Sequence, residues 1–123
     1  MIPEKLLEVL KNEGVVAIAT SSGDGTPHLV NTWNSYVQIV NECLIFPAGG
    51  MNKTEANVAK NNNVLITLGS RSVDGFRGPG AGFLVRGTAS FIKSGPTLDM
   101  IKKKFPWARA AVEVSIVSIT QTL

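Results

Sequence analysis

The sequence predicts a mainly β fold, six antiparallel strands closing into a small barrel with short helices plugging its ends or packing beside it. Three observations predict it. Short runs rich in β-branched and aromatic residues recur along the 123 residues. Between them, 12 glycines and 6 prolines supply turns at short intervals. The strands also come in runs, with no regular strand–helix alternation, which argues against a doubly wound parallel sheet. The length suits a single domain over residues 1–123, large enough to bury a core without disulfides or metal.

Pro3 to Glu13 reads as the first helix, with proline in its first turn, Leu6, Leu7 and Leu10 on one side, and Gly14 as the stop. Val15 to Thr20 is a short apolar strand, and Ser21 to Thr26 carries turn chemistry. A second extended segment runs from about His28 to Val40. Asn41-Glu42 then turns tightly into a third strand, Cys43 to Phe46, so that the three form a meander. Pro47 to Gly50 breaks the pattern. Asn52, with Glu55 three residues on, reads as the capped start of a short helix that Asn61 to Asn63 ends. Val64 to Leu68 is the fourth strand. Arg71 to Gly82, glycine-rich and carrying a proline, reads as a long loop. Phe83 to Ile92 is the fifth strand, Gly95-Pro96 opens a last helix carrying Leu98, Ile101 and Phe105, and Val112 to Ile119 closes the fold.

Charge and composition narrow the function classes. The formal charge of +3 is mild and does not imply nucleic acid. The one charge run, Lys102-Lys103-Lys104, falls late in a helix, where cations suit the dipole and face solvent. No apolar run approaches the roughly 18 residues of a membrane helix, and the mixed-charge start is no signal peptide. Cys43 is the only cysteine and cannot form an intrachain bridge, so a reduced, cytoplasmic setting is the default. His28 is the only histidine, which rules out multi-histidine metal sites, and no Gly-x-Ser-x-Gly elbow or paired-acid motif is present.

Three segments carry possible binding chemistry. Pro47-Ala48-Gly49-Gly50-Met51-Asn52-Lys53-Thr54 joins paired glycines to a helix start, an ammonium and a hydroxyl, the parts of a phosphate site. It lacks the spacing of the nucleoside-triphosphate loop, and a plain strand-to-helix connection explains it equally well. Asn31 to Tyr36 puts polar and amphipathic residues inside an apolar strand. They fit either an edge strand with a wet face or a ligand with a flat ring stacked on Trp33 or Tyr36. Gly78 to Gly82 is either a surface turn or backbone close to a ligand or a second subunit.

In order along the chain, the blocks at 12–20, 27–36 (Pro-His-Leu-Val-Asn-Thr-Trp-Asn-Ser-Tyr), 49–59, 67–71 and 107–111 and the terminal Gln121-Thr122-Leu123 resemble the pyridoxamine-phosphate-oxidase-like split-barrel flavoproteins. Within that family they resemble the small FMN-binding branch from anaerobic bacteria, over essentially the whole chain. The resemblance implies a split barrel and a homodimer with one FMN per subunit at the interface. It implies that the strand of His28, Asn31, Thr32, Trp33 and Asn34 runs along the flavin, and that Pro47, Ala48, Gly49, Gly50, Lys53 and Thr54 form the turn receiving the phosphate. Trp33, Tyr36 and Trp107 would flank the isoalloxazine, with Gly82 and Leu123 completing the site from the partner subunit. The oxidase branch holds its substrate phosphate with an arginine and a histidine near the C-terminus. Here Arg109 is followed by an apolar strand and no histidine lies beyond His28, so that oxidation is not implied. The leading expectation is an electron-transfer module holding FMN non-covalently at low potential and serving an unidentified redox partner protein. The alternatives are a flavin reductase or oxidase of unknown substrate, and a non-catalytic flavin-binding protein.

Overall fold

The computed structural model describes residues 1–123 and consists of seven strands, three α-helices and one 3-10 turn. Helix α1 (Glu4–Leu10) leads into β1 (Val15–Ser21) and β2 (Pro27–Trp33). The 3-10 turn Asn34–Tyr36 then separates β2 from β3 (Gln38–Val40), which β4 (Cys43–Ala48) follows. Helix α2 (Asn52–Lys60), the long hairpin of β5 (Asn63–Gly75) and β6 (Gly78–Ile92), helix α3 (Pro96–Lys104) and β7 (Ala110–Gln121) complete the chain.

All pairings are antiparallel, in the order β2-β1-β5-β6-β7-β4-β3. The edge strands β2 and β3 stand at opposite ends of that order, yet only residues 34–37 separate them in sequence. Four residues reach at most about 18 Å from Trp33 to Gln38, so the sheet must curl until its two edges come near one another. The barrel is closed along this seam by the chain itself rather than by a ladder. This accounts for two departures from the sequence reading. The predicted second strand is two strands, β2 and β3, because Asn34–Tyr36 turns between them. The predicted three-strand meander is absent, since β3 pairs with β4 but not with β2.

The burial pattern explains the strands. In β1, Val16, Ile18 and Thr20 alternate inward, and in β5 Val64, Ile66 and Leu68 do the same. β4 is buried nearly throughout. One face looks into the main core with Leu44 and Phe46, while Ile45 packs under α3 against Leu98 and Ile101. Pro47 is tolerated because β3 covers β4 only as far as Ile45, leaving Pro47 on an edge. Leu6 and Val9 of α1 join the main core beside β5 and the 3-10 turn. The Asn41-Glu42 turn has φ of 50° and 60°, the backbone of a two-residue hairpin whose twist matches its strands.

The segment Arg71 to Gly82, expected as a loop, is the far end of the β5–β6 hairpin, with a two-residue connection at Phe76-Arg77. Its glycines allow close approach. A Cβ on Gly75 would lie 2.2 Å from the Gly80 carbonyl oxygen and 2.8 Å from the Leu123 carbonyl carbon. The chain end is pinned there: Thr122 N–H donates to Gly82 O at 2.8 Å, and Gly82 N–H donates to Leu123 O at 3.3 Å. Backbone pairing orders this terminus, although the Leu123 side chain is 57% exposed.

Candidate functional site

The end of β2, the 3-10 turn, the end of β4 and the turn into α2 converge on a cleft of about 240 Å³ at the seam. Asn31, Thr32 and Trp33 form one lip, and Pro47, Gly49, Gly50 and Met51 the other. Tyr36 and Trp107 close the side, the latter carried by the connection between α3 and β7. Their rings form an aromatic group with Phe105, with centroids 4.9 Å (Tyr36–Phe105), 5.8 Å (Tyr36–Trp107) and 5.8 Å (Phe105–Trp107) apart. Trp33 is nevertheless 40% exposed and Trp107 53%, so large apolar rings face outward at a polar rim. Gly49 lets Trp107 sit there, since a Cβ at Gly49 would meet its ring at 3.1 Å.

Helix α2 begins without a side-chain cap. Asn52, expected to cap it, is its first residue, and the capping position is held by Met51 in the left-handed region at φ 59°. That conformation costs a residue with a side chain roughly 1 kcal/mol. The N–H groups of the first turn therefore have no side-chain acceptor from the cap. The Thr54 side chain is buried in the same turn, and its Oγ1 has no hydrogen-bond partner. Lys53 is exposed beside it. A helix start of this kind carries partial positive charge and suits an anion. The helix is held at its other end by Asn57 Nδ2 donating to Thr20 Oγ1 at 3.1 Å and Asn61 Nδ2 donating to Ser21 Oγ at 3.3 Å.

Other expected residues lie elsewhere. His28 is half-buried opposite Thr20, four residues or about 13 Å along β2 from Thr32. Asn34 is fully buried, and its amide nitrogen reaches Val9 O at 3.2 Å, Asn12 O at 2.8 Å and Gly69 O at 3.0 Å. It ties the end of α1 to β5 and does not line the cleft. Ala48 is buried, and its carbonyl accepts from Arg109 N–H at 2.9 Å. Gly82 and Leu123 sit together in a second, larger hollow of about 590 Å³ with Glu13, Gly14, Ser70 and Arg71. There the Glu13 carboxylate accepts from Ser35 Oγ at 2.8 Å and Ser35 N–H at 3.2 Å, and these bonds lower its pKa.

Sequence reasoning missed the charged group behind the glycine turn. Arg109 donates through Nε and Nη2 to Gly50 O at 3.0 and 2.7 Å, and its Nη1 pairs with Glu55 Oε1 at 2.9 Å. Lys93 pairs with the other Glu55 oxygen. The Lys93 bond holds the Glu55 carboxyl below the ordinary range, partial burial opposes this, and Arg109 adds to the lowering. No local pattern could have revealed a contact that spans 59 residues.

The family model for pyridoxamine 5'-phosphate oxidase matches residues 2–121. The "FMN-binding protein" of Nitratidesulfovibrio vulgaris (strain DSM 19637 / Miyazaki F) is 57% identical over 124 residues, covering 100% of each chain. Among solved structures, HupZ of Group A Streptococcus superposes with a TM-score of 0.82 at 17% identity, covering 98% of this chain and 94% of that one. An FMN-binding protein from Syntrophomonas wolfei subsp. wolfei superposes with a TM-score of 0.79 at 18% identity, covering 98% and 85%. These two likenesses show the fold, a barrel of the same kind.

Proposed function

The chain belongs to the pyridoxamine 5'-phosphate oxidase family, and from that premise we propose that it is a single-domain, cytoplasmic electron-transfer module holding FMN without a covalent link. FMN is its cofactor. No helix is long and apolar enough to cross a membrane. One observation carries the reading: an orphaned hydroxyl at an uncapped helix start stands next to a cleft walled by amides and aromatic rings.

The residues fit the cofactor part by part. Thr54 Oγ1, the first-turn N–H groups of α2 and the Lys53 ammonium suit its phosphate. The Gly49-Gly50 backbone allows close approach, and Trp33, Tyr36 and Trp107 suit its ring. When bound, FMN supplies the redox chemistry. The chain's part is to bind the phosphate, orient the ring and limit its contact with water. Asn31 and Thr32 offer neutral dipoles there, and no cationic side chain lines the cleft. Added negative charge on a reduced flavin is therefore little stabilised, which favours a low potential.

The single-chain cleft, about 240 Å³, falls below the roughly 300 Å³ at which ligand pockets begin. A second copy of the chain would complete it. The outer face of the barrel supports a homodimer. Val15, Leu29 and Leu65 are all exposed there, and the β1–β2 and β1–β5 registers put them on one side of the sheet. A hollow of about 400 Å³ between Pro27, Leu65, Arg86 and Val117 continues that face.

The purified protein is expected to be yellow and to release intact FMN on acid denaturation. Stopped-flow reduction by a low-potential electron donor should outpace reduction by a nicotinamide nucleotide. The reverse order identifies a reductase, and reduction by neither identifies a flavin-binding protein without turnover. A colourless protein that takes up no added FMN overturns the reading itself.

A further inference from the structure

We propose that Arg109 is a positioning residue for the cofactor phosphate, acting through the Gly50 carbonyl and itself anchored by Glu55. The inference rests on the FMN reading above. Arg109 immediately precedes β7, and its N–H bond to Ala48 O stitches that point to the end of β4. Its guanidinium then forks onto a single oxygen, that of Gly50. Glu55 on α2 holds the remaining arm, Lys93 fixes Glu55 from beyond the end of β6, and the Phe91 ring lies 5.9 Å from the guanidinium carbon.

This arrangement fixes the direction of a donor. Every peptide in the chain is trans, so a carbonyl and the N–H of the following residue point opposite ways. With Gly50 O drawn to the guanidinium, the Met51 N–H points away from it, and Gly50 and Met51 both line the cleft. Met51 adopts a left-handed backbone there, which a side-chain-bearing residue keeps only when its surroundings impose it. The orphaned Thr54 hydroxyl one turn on is an independent sign that an acceptor-rich ligand belongs at this place. Each guanidinium nitrogen of Arg109 already makes a bond within the protein, three of its five N–H donors in all, and these bonds fix the group on Gly50 and Glu55. Glu55, a carboxylate in the first turn of α2, would repel a phosphate if its only effect were its charge.

That contrast gives the test its signs. Apo protein is titrated with FMN and, separately, with riboflavin, for the wild type, Arg109→Lys and Glu55→Ala, alongside thermal melts. Lysine keeps the charge but cannot reproduce the fork. Positioning predicts that Arg109→Lys raises the FMN Kd by about tenfold or more and leaves the riboflavin Kd within about twofold of wild type. Glu55→Ala should also weaken FMN, and Glu55→Gln, which keeps shape and an acceptor, should do so less; it stands in if the alanine variant fails to fold. A purely Coulombic role predicts the opposite, with FMN binding preserved in Arg109→Lys and tightened in Glu55→Ala. Either of those results overturns the proposal, as does an equal loss of riboflavin and FMN, which would mark Arg109 as a general support of the fold. Wild-type protein that binds no FMN overturns the underlying reading instead.

Discussion

Replacing Thr54 with valine exchanges a hydroxyl for a methyl of similar size at a side chain that is only 2% exposed and whose Oγ1 has no partner. A buried hydroxyl left unpaired costs about 1–3 kcal/mol, so the apo protein should gain roughly 1 kcal/mol or more from the change. With an unfolding entropy of about 2.1 cal/mol/K per residue, this corresponds to an apo Tm about 4 °C higher. If the hydroxyl serves the phosphate, the same change removes a bond to a charged acceptor worth about 1.5–3 kcal/mol, and FMN Kd rises roughly ten- to a hundredfold. Because a ligand stabilises by mass action on the folded state, the ranking should invert at saturating FMN, with the valine variant melting about 2–8 °C below wild type. Differential scanning calorimetry with and without FMN reads both signs in one experiment. A valine variant that melts lower in the apo state, or that binds FMN as wild type does, refutes the role given to Thr54.

Four further outcomes are expected. Lys53→Ala should weaken FMN by about tenfold while leaving riboflavin unchanged, since riboflavin has no phosphate for the ammonium to meet; paired fluorescence titrations check this. Gly49→Ala puts a Cβ 3.1 Å from the Trp107 ring, and should weaken FMN and riboflavin alike, with a changed flavin spectrum. Deleting Leu123 should leave the melting temperature within about 3 °C, because the residue adds little to the core, yet change flavin affinity and reduction potential; unchanged potentiometric titrations would place Leu123 away from the ring. The depressed Glu55 carboxyl contributes stability that is complete above the ordinary glutamate range and is lost as pH falls through its lower folded value. Acid melts of Glu55→Gln should therefore lose less stability than wild type between pH 5 and the acid limit, roughly.

What could be read from the sequence follows the range of the interactions. The alternating apolar residues of β1 and the two-residue turn at Asn41-Glu42 are local features, and both occur as expected. The two halves of the cleft, Asn31–Tyr36 and Pro47–Gly50, were legible because each is a short stretch whose polarity or glycine content departs from its neighbours. Asn34 looked the same as Asn31 in one dimension. Only the packing of α1 and β5 around the 3-10 turn makes it an internal strut. The glycines of Arg71–Gly82 read as a loop because their use, letting the chain end lie against the hairpin, depends on residues some fifty positions away. The Arg109 fork depends on a contact of the same reach.

The seam between β2 and β3 bears on how a cofactor enters. The Trp33 lip of the cleft belongs to β2, and the Gly49–Met51 lip belongs to the β4 side of the barrel. No ladder joins the two lips. Spreading them breaks no strand pairing, only side-chain contacts and the geometry of a four-residue tether. The rate of flavin entry and exit is thus separable from the free energy that keeps the barrel folded. Substitutions that strengthen the β5–β6 or β6–β7 ladders should raise the melting temperature without slowing cofactor exchange. Substitutions at the tether should change the exchange rate with little effect on the melt, and the amides flanking the seam should trade hydrogen with solvent well before those of β6.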